Sequence, residues 1–94
     1  MGWDVTLTTD RDVTPADMDK IVDELPQWMR GDWPKPKQQW GYSLAADLRL
    51  DSPRKVRCSG SCSISGKIAE GFCEAMARRL EHIGCKVVIG EMSV

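Results

Sequence analysis

Two runs decide the fold. The first is Trp40-Gly41-Tyr42-Ser43-Leu44-Ala45-Ala46-Asp47-Leu48-Arg49-Leu50-Asp51, and the second is Val56-Arg57-Cys58-Ser59-Gly60-Ser61-Cys62-Ser63-Ile64. In the first, Tyr42, Leu44, Ala46, Leu48 and Leu50 recur at period two and point one way, while Ser43, Ala45, Asp47, Arg49 and Asp51 point the other. In the second, Val56, Cys58, Gly60, Cys62 and Ile64 form the inward set, with Arg57, Ser59, Ser61 and Ser63 outward. Ser52-Pro53-Arg54 between them has turn chemistry, so the two runs predict two strands joined as a hairpin.

Working toward the N-terminus, residues 31–39 read Gly-Asp-Trp-Pro-Lys-Pro-Lys-Gln-Gln, and two prolines so close together exclude regular structure. Before them Met18, Ile21, Val22, Leu25 and Met29 fall on one helical face. Thr14 is the expected N-cap, Pro15 the first helical residue and Asp17 the acid three positions after the cap. Pro26 should end or kink this helix near Leu25, with Gly31 closing the last turn. Trp3-Asp4-Val5-Thr6-Leu7-Thr8 alternates as a half-buried strand.

Toward the C-terminus, Ser65-Gly66 opens a second helix. Its apolar stripe is Ile68, Phe72, Met76, Leu80 and Ile83, its wet face Lys67, Glu70, Glu74, Arg78 and Glu81, and Gly84 its stop. Arg79 projects onto the apolar side and must carry its guanidinium outward. Cys85 to Ile89 is the last strand. The order β-α-β-β-α-β predicts an α+β chain, one domain over residues 1–94. Its most economical arrangement is a ferredoxin-like plait, a four-stranded antiparallel sheet with both helices on one face.

Thirteen basic against fourteen acidic groups give a net charge of −1, which argues against general nucleic-acid binding. No apolar run approaches the roughly 18–20 residues of a membrane span, and the N-terminus lacks the basic start and apolar stretch of a secretory signal. A cytoplasmic location follows as the expectation, and with it reduced thiols. Cys58, Cys62, Cys73 and Cys85 lack the spacing of paired zinc knuckles. His82 and Cys85 allow a Cys3His site to be drawn, but Cys58 and Cys62 alternate with core residues, so buried structural thiols are expected, with no metal and no cofactor.

The common uses of a plait are also excluded. The outward positions of the expected central strands carry no aromatic residue for stacking bases. The loop after the first strand, Thr9-Asp10-Arg11-Asp12, has neither CxxC nor glycine, and its two acids repel phosphate. Gly60 to Lys67 misses a phosphate loop by one residue between its glycines and by Ile68 in place of the metal-binding hydroxyl. Asp10-x-Asp12 begins like a calcium loop but meets Pro15 and Ile21 where glycine and the closing acid belong. The single histidine, His82, has no convincing nucleophile beside it, and no catalytic residue is assigned.

One surface stands out. Charge is uneven: net −4 over residues 1–30, +4 over 31–67 and −1 over 68–94. In the plait the 31–39 loop and the start of the second helix share one end of the sheet. Trp33, Lys35, Lys37, Trp40, Ser65, Gly66 and Lys67 are therefore the candidate partner- or anion-binding residues. The competing reading is that Trp33 and Trp40 simply pin the loop to the core and the lysines keep it soluble. At the other end Arg54, Lys55 and Arg57 should be neutralised by Asp10, Asp12 and Asp51. The leading expectation is a non-enzymatic interaction or regulatory domain with a protein partner, and a homodimer through the open sheet face is a variant of it. The alternatives are a sensor of a small phosphate or carboxylate anion held at Lys67, and an unrecognised small enzyme.

Overall fold

In the computed structural model, which describes residues 2–25, 39–43, 46–61 and 66–93, the elements follow as β1 (Gly2–Thr9), α1 (Pro15–Asp23), β2 (Gln39–Ser43), β3 (Ala46–Ser52), β4 (Lys55–Ser61), α2 (Gly66–His82) and β5 (Val87–Ile89). All the strands join one sheet in the order β2-β3-β4-β1-β5, and every neighbouring pair is antiparallel. The fold is α+β, as the sequence pattern predicts.

Among the described residues the sheet has five strands, one more than expected. Residues 40–51 are not one strand, because Trp40 pairs with Leu48 and Ser43 with Ala46, which splits the run into β2 and β3 folded back on each other. Leu44 and Ala45, between the two halves, lie outside the described residues. A Leu-Ala pair carries none of the Gly, Asn or Asp signals of a tight hairpin, and the period-two alternation continues through it, so the reversal leaves no local mark. The β3–β4 hairpin is the predicted one: Ser52 faces Lys55 across Pro53-Arg54, and Leu50 and Leu48 face Val56 and Cys58.

Register carries the apolar pattern across the sheet. Leu48, Cys58 and Val5 form one row and Leu50, Val56 and Leu7 the next, all on the same face. Both helices cover that face, since Met18, Ile21 and Val22 of α1 and Phe72, Met76 and Leu80 of α2 belong to the same buried cluster as Val5, Leu7, Leu48 and Val56. Each such side chain contributes roughly 1.5–3 kcal/mol by leaving water. The Trp3 and Phe72 rings meet edge to face with centroids 6.1 Å apart.

The helix signals act locally as read. Thr14 Oγ1 accepts from the Asp17 N–H at 3.1 Å and Asp17 Oδ2 accepts from the Thr14 N–H at 3.0 Å, a complete capping box before Pro15. α1 stops at Asp23, a little before the expected limit, and the Glu24 and Leu25 N–H groups reach back three residues to Ile21 and Val22. Such tightening suits a chain approaching Pro26, whose ring disfavours helix at the residue before it. Met29 and Gly31, also assigned to this helix, lie outside the described residues.

At the end of α2, Gly84 adopts φ 95°. Its N–H bonds to the Glu81 carbonyl and the Cys85 N–H to that of Leu80, a Schellman closure. The buried face of α2 is centred on Ala69, Phe72, Cys73, Met76 and Leu80, so Ile68, expected in the stripe, falls at its margin and is exposed. Arg79 is half-buried and delivers its guanidinium to Glu24 at 3.5 Å.

Candidate functional site

Of the residues singled out in the sequence, Gly66 and Lys67 form the exposed first turn of α2. Trp40 belongs to a strand, as expected, and its backbone in β2 stands opposite Leu48. Trp33, Lys35, Lys37 and Ser65 lie outside the described residues, so their convergence with Lys67 is not part of the described geometry. α2 carries no acidic residue in its first turn.

The second basic group is neutralised in part: the ion pairs of the described residues take in Arg54 and Arg57 but not Lys55, and Asp10 accepts the Lys86 N–H instead. Arg54 pairs with Asp12 at 3.0 Å, and Arg57 with Asp51 at 3.1 Å and Asp4 at 3.9 Å. Arg57 sits on the uncovered face of the sheet, directly opposite Arg49 on β3, so the two acids offset a like-charge cross-strand pair.

Cys58, Cys73 and Cys85 are free, buried thiols, as expected of core cysteines, while Cys62 lies outside the described residues. Cys58 on β4 and Cys73 on α2 are hydrogen-bonded to each other. That bond, together with burial, holds the Cys58 thiol well above its ordinary value, while the bond from Cys58 lowers that of Cys73. Burial pushes Cys85 up. His82 is exposed in the last turn of α2, apart from this pair in burial and position. Among the described residues no cluster of three or more His, Cys, Asp or Glu side chains stands ready for a metal ion.

A site that the sequence does not announce lies at the edge of the sheet away from β2. β5 is an edge strand, bonded to β1 on one side. The Asp10 N–H bonds to the Lys86 carbonyl and the Gly90 N–H to that of Thr6. In an antiparallel ladder such bonded pairs alternate, so Thr8 and Val88 are also a bonded pair, and the N–H and C=O of Val87 and Ile89 point away from β1. Val88 is 68% exposed and Ile89 46%, and with Ile68 they are the exposed large apolar side chains among the described residues.

Beside this edge is a cavity of about 180 Å³, lined by Val5, Glu70, Cys73, Glu74, Ile89, Gly90 and Met92. Val5 and Cys73 are buried and Glu70 and Glu74 exposed, so the apolar end is deep and the carboxylates stand at the opening. Backbone continues this contact beyond β5: Asp4 and Ser93 exchange both N–H···O bonds, at 3.0 and 2.9 Å. Only the apolar, β-branched run Val87 to Ile89 pointed here in the sequence, and composition does not say which strand ends a sheet.

No family model matches the chain, and no curated protein or solved structure matches it either. Among the described residues no helix is long and apolar enough to cross a membrane.

Proposed function

We propose that this chain is a small, cytoplasmic, non-enzymatic interaction domain that binds a protein partner by receiving an extended segment along β5. One observation carries this reading: the outward backbone groups of Val87 and Ile89 have no strand beside them among the described residues, and the same short strand exposes two large apolar side chains. β5 is short but bears no charge of its own, and an apolar edge beside a cavity suits the addition of a further strand. The ferredoxin-like plait belongs to the proposal as well. Its support is the order β3-β4-β1-β5 with helices between β1 and β2 and between β4 and β5.

The test is capture from a nuclease-treated extract of the native host, with the captured protein then purified and rebound. Ile89→Pro deletes an outward N–H without touching the β1 ladder, a change edge strands tolerate. Loss of stoichiometric rebinding with Ile89→Pro supports the β5 reading. Retention by Ile89→Pro with loss in Trp33→Ala returns the partner surface to the 31–39 loop.

Two other readings have less behind them. A homodimer over the open sheet face would use Arg57, but that guanidinium is already engaged by Asp4 and Asp51 of its own chain. Light scattering of the purified protein decides it. A phosphate or carboxylate sensor rests on Lys67 at an acid-free first turn, and loss of phosphate binding in Lys67→Glu is its test.

A further inference from the structure

We infer that the segment received by β5 is a basic peptide, one that lays an apolar side chain into the α2–β5 cavity and sets a lysine or arginine against Glu70 and Glu74. This rests on the strand-addition reading above and names the partner's chemistry.

Glu70 and Glu74 are one turn apart on α2, both exposed and both at the opening of the cavity. Like charges at this spacing cost a helix a few tenths of a kcal/mol when nothing offsets them. The ion pairs of the described residues involve Asp4, Asp12, Glu24 and Asp51, and none reaches Glu70 or Glu74. Lys67 and Arg78 are within helical reach in sequence, yet neither is within ion-pair distance of these carboxylates. The opening is therefore acidic while its deep end is apolar.

The space fits one side chain. An apolar cavity of roughly 150 Å³ holds a benzene-sized group, so about 180 Å³ takes a branched aliphatic residue or the methylenes of a lysine. A strand bonded to Val87 and Ile89 alternates its side chains between the two faces of the sheet. On the helix side, residues of the added strand meet Ile89 and the cavity, and the carboxylates lie just beyond. On the open side they meet Val88. A free amine would match the carboxylates and leave the outward backbone groups unused, so a peptide is the better occupant.

The probes are three capped pentapeptides that keep the apolar and the variable residue on one face, Val-Thr-Lys-Thr-Val, Val-Thr-Thr-Thr-Val and Val-Thr-Glu-Thr-Val. Binding is read by amide chemical shifts and by fluorescence polarisation on the full chain and on a Glu70→Gln/Glu74→Gln variant, with urea midpoints to confirm folding. The lysine peptide should shift the Val87, Ile89 and Gly90 amides and bind more tightly than the other two. Its affinity should fall roughly three- to tenfold in the double variant, with the threonine peptide unchanged. Equal binding of all three at Val87 and Ile89 overturns the basic-peptide inference and leaves strand addition standing. No shift at β5 with any peptide overturns both. Concentration-dependent broadening of the β5 amides without peptide makes a second copy of the chain the occupant and overturns the inference.

Discussion

Gly84→Ala tests the junction that delivers β5 to its place beside β1. Gly84 sits at φ 95°, where a Cβ clashes with its own backbone. That conformation costs an alanine about 1–2 kcal/mol relative to glycine. A second penalty is particular to this fold: a Cβ at position 84 would stand 2.5 Å from Arg11 Nη1. The Arg11 guanidinium reaches the Ile83 carbonyl at 3.5 Å, but it ends a flexible, exposed side chain, so it can move away and sacrifice that weak bond. Most of the loss should therefore come from the backbone. For a chain of this size each kcal/mol lowers Tm by roughly 4–8 °C, and the expected drop is about 5–15 °C. Urea and thermal unfolding of Gly84→Ala, Arg11→Ala and the double variant separate the two terms. The double variant should recover only a small part of the loss. Full recovery would mean that the Arg11 contact, not the left-handed turn, limits this position, and a Gly84→Ala protein as stable as the parent would refute the Schellman closure itself.

Three further outcomes follow from the same geometry. Thr14→Ala removes the acceptor for the Asp17 N–H and should cost about 1 kcal/mol in urea unfolding, with Thr14→Ser close to neutral. Asp10 accepts the Lys86 N–H at 2.7 Å, and that bond lowers its pKa below the usual aspartate value. Its contribution to stability is thus present above the unfolded pKa, near 4, and lost as pH falls through the lower folded one. Asp10→Asn should flatten that part of the acid unfolding profile, and carboxyl NMR should record the lowered midpoint. Cys73, the more acidic thiol of its pair and part of the cavity wall, should alkylate with iodoacetamide before Cys58 and Cys85. Peptide mapping by mass spectrometry gives the order, and Cys58 modified first would contradict the arrangement.

The legible parts of the sequence were those set by neighbours along the chain. Thr14, Pro15 and Asp17 form a capping box from three side chains within one turn, and Gly84 ends α2 because the left-handed region is open to glycine. The β3–β4 turn at Pro53-Arg54 and the alternation of Val56 and Cys58 belong to the same class. Arg57 meets Asp51 within that same hairpin, whereas Arg54 reaches Asp12, beyond the end of β1, only once the chain has folded.

Tertiary structure decided the rest. Whether Trp40 to Asp51 is one strand or two depends on where the chain reverses, and Leu44-Ala45 carries no turn chemistry to announce it. Ile68 and Phe72 are equally apolar and one helical turn apart, yet Phe72 is buried and Ile68 exposed, because the rotation of α2 over β1 and β5 is set by packing. Cys58 and Cys73 are fifteen positions apart and meet only across the helix–sheet interface. Val87 to Ile89 could have been an interior strand on its composition alone. Its place at the sheet's edge, with the backbone of Val87 and Ile89 turned outward beside Glu70 and Glu74, follows from strand order, a long-range property that hydrophobic periodicity does not encode.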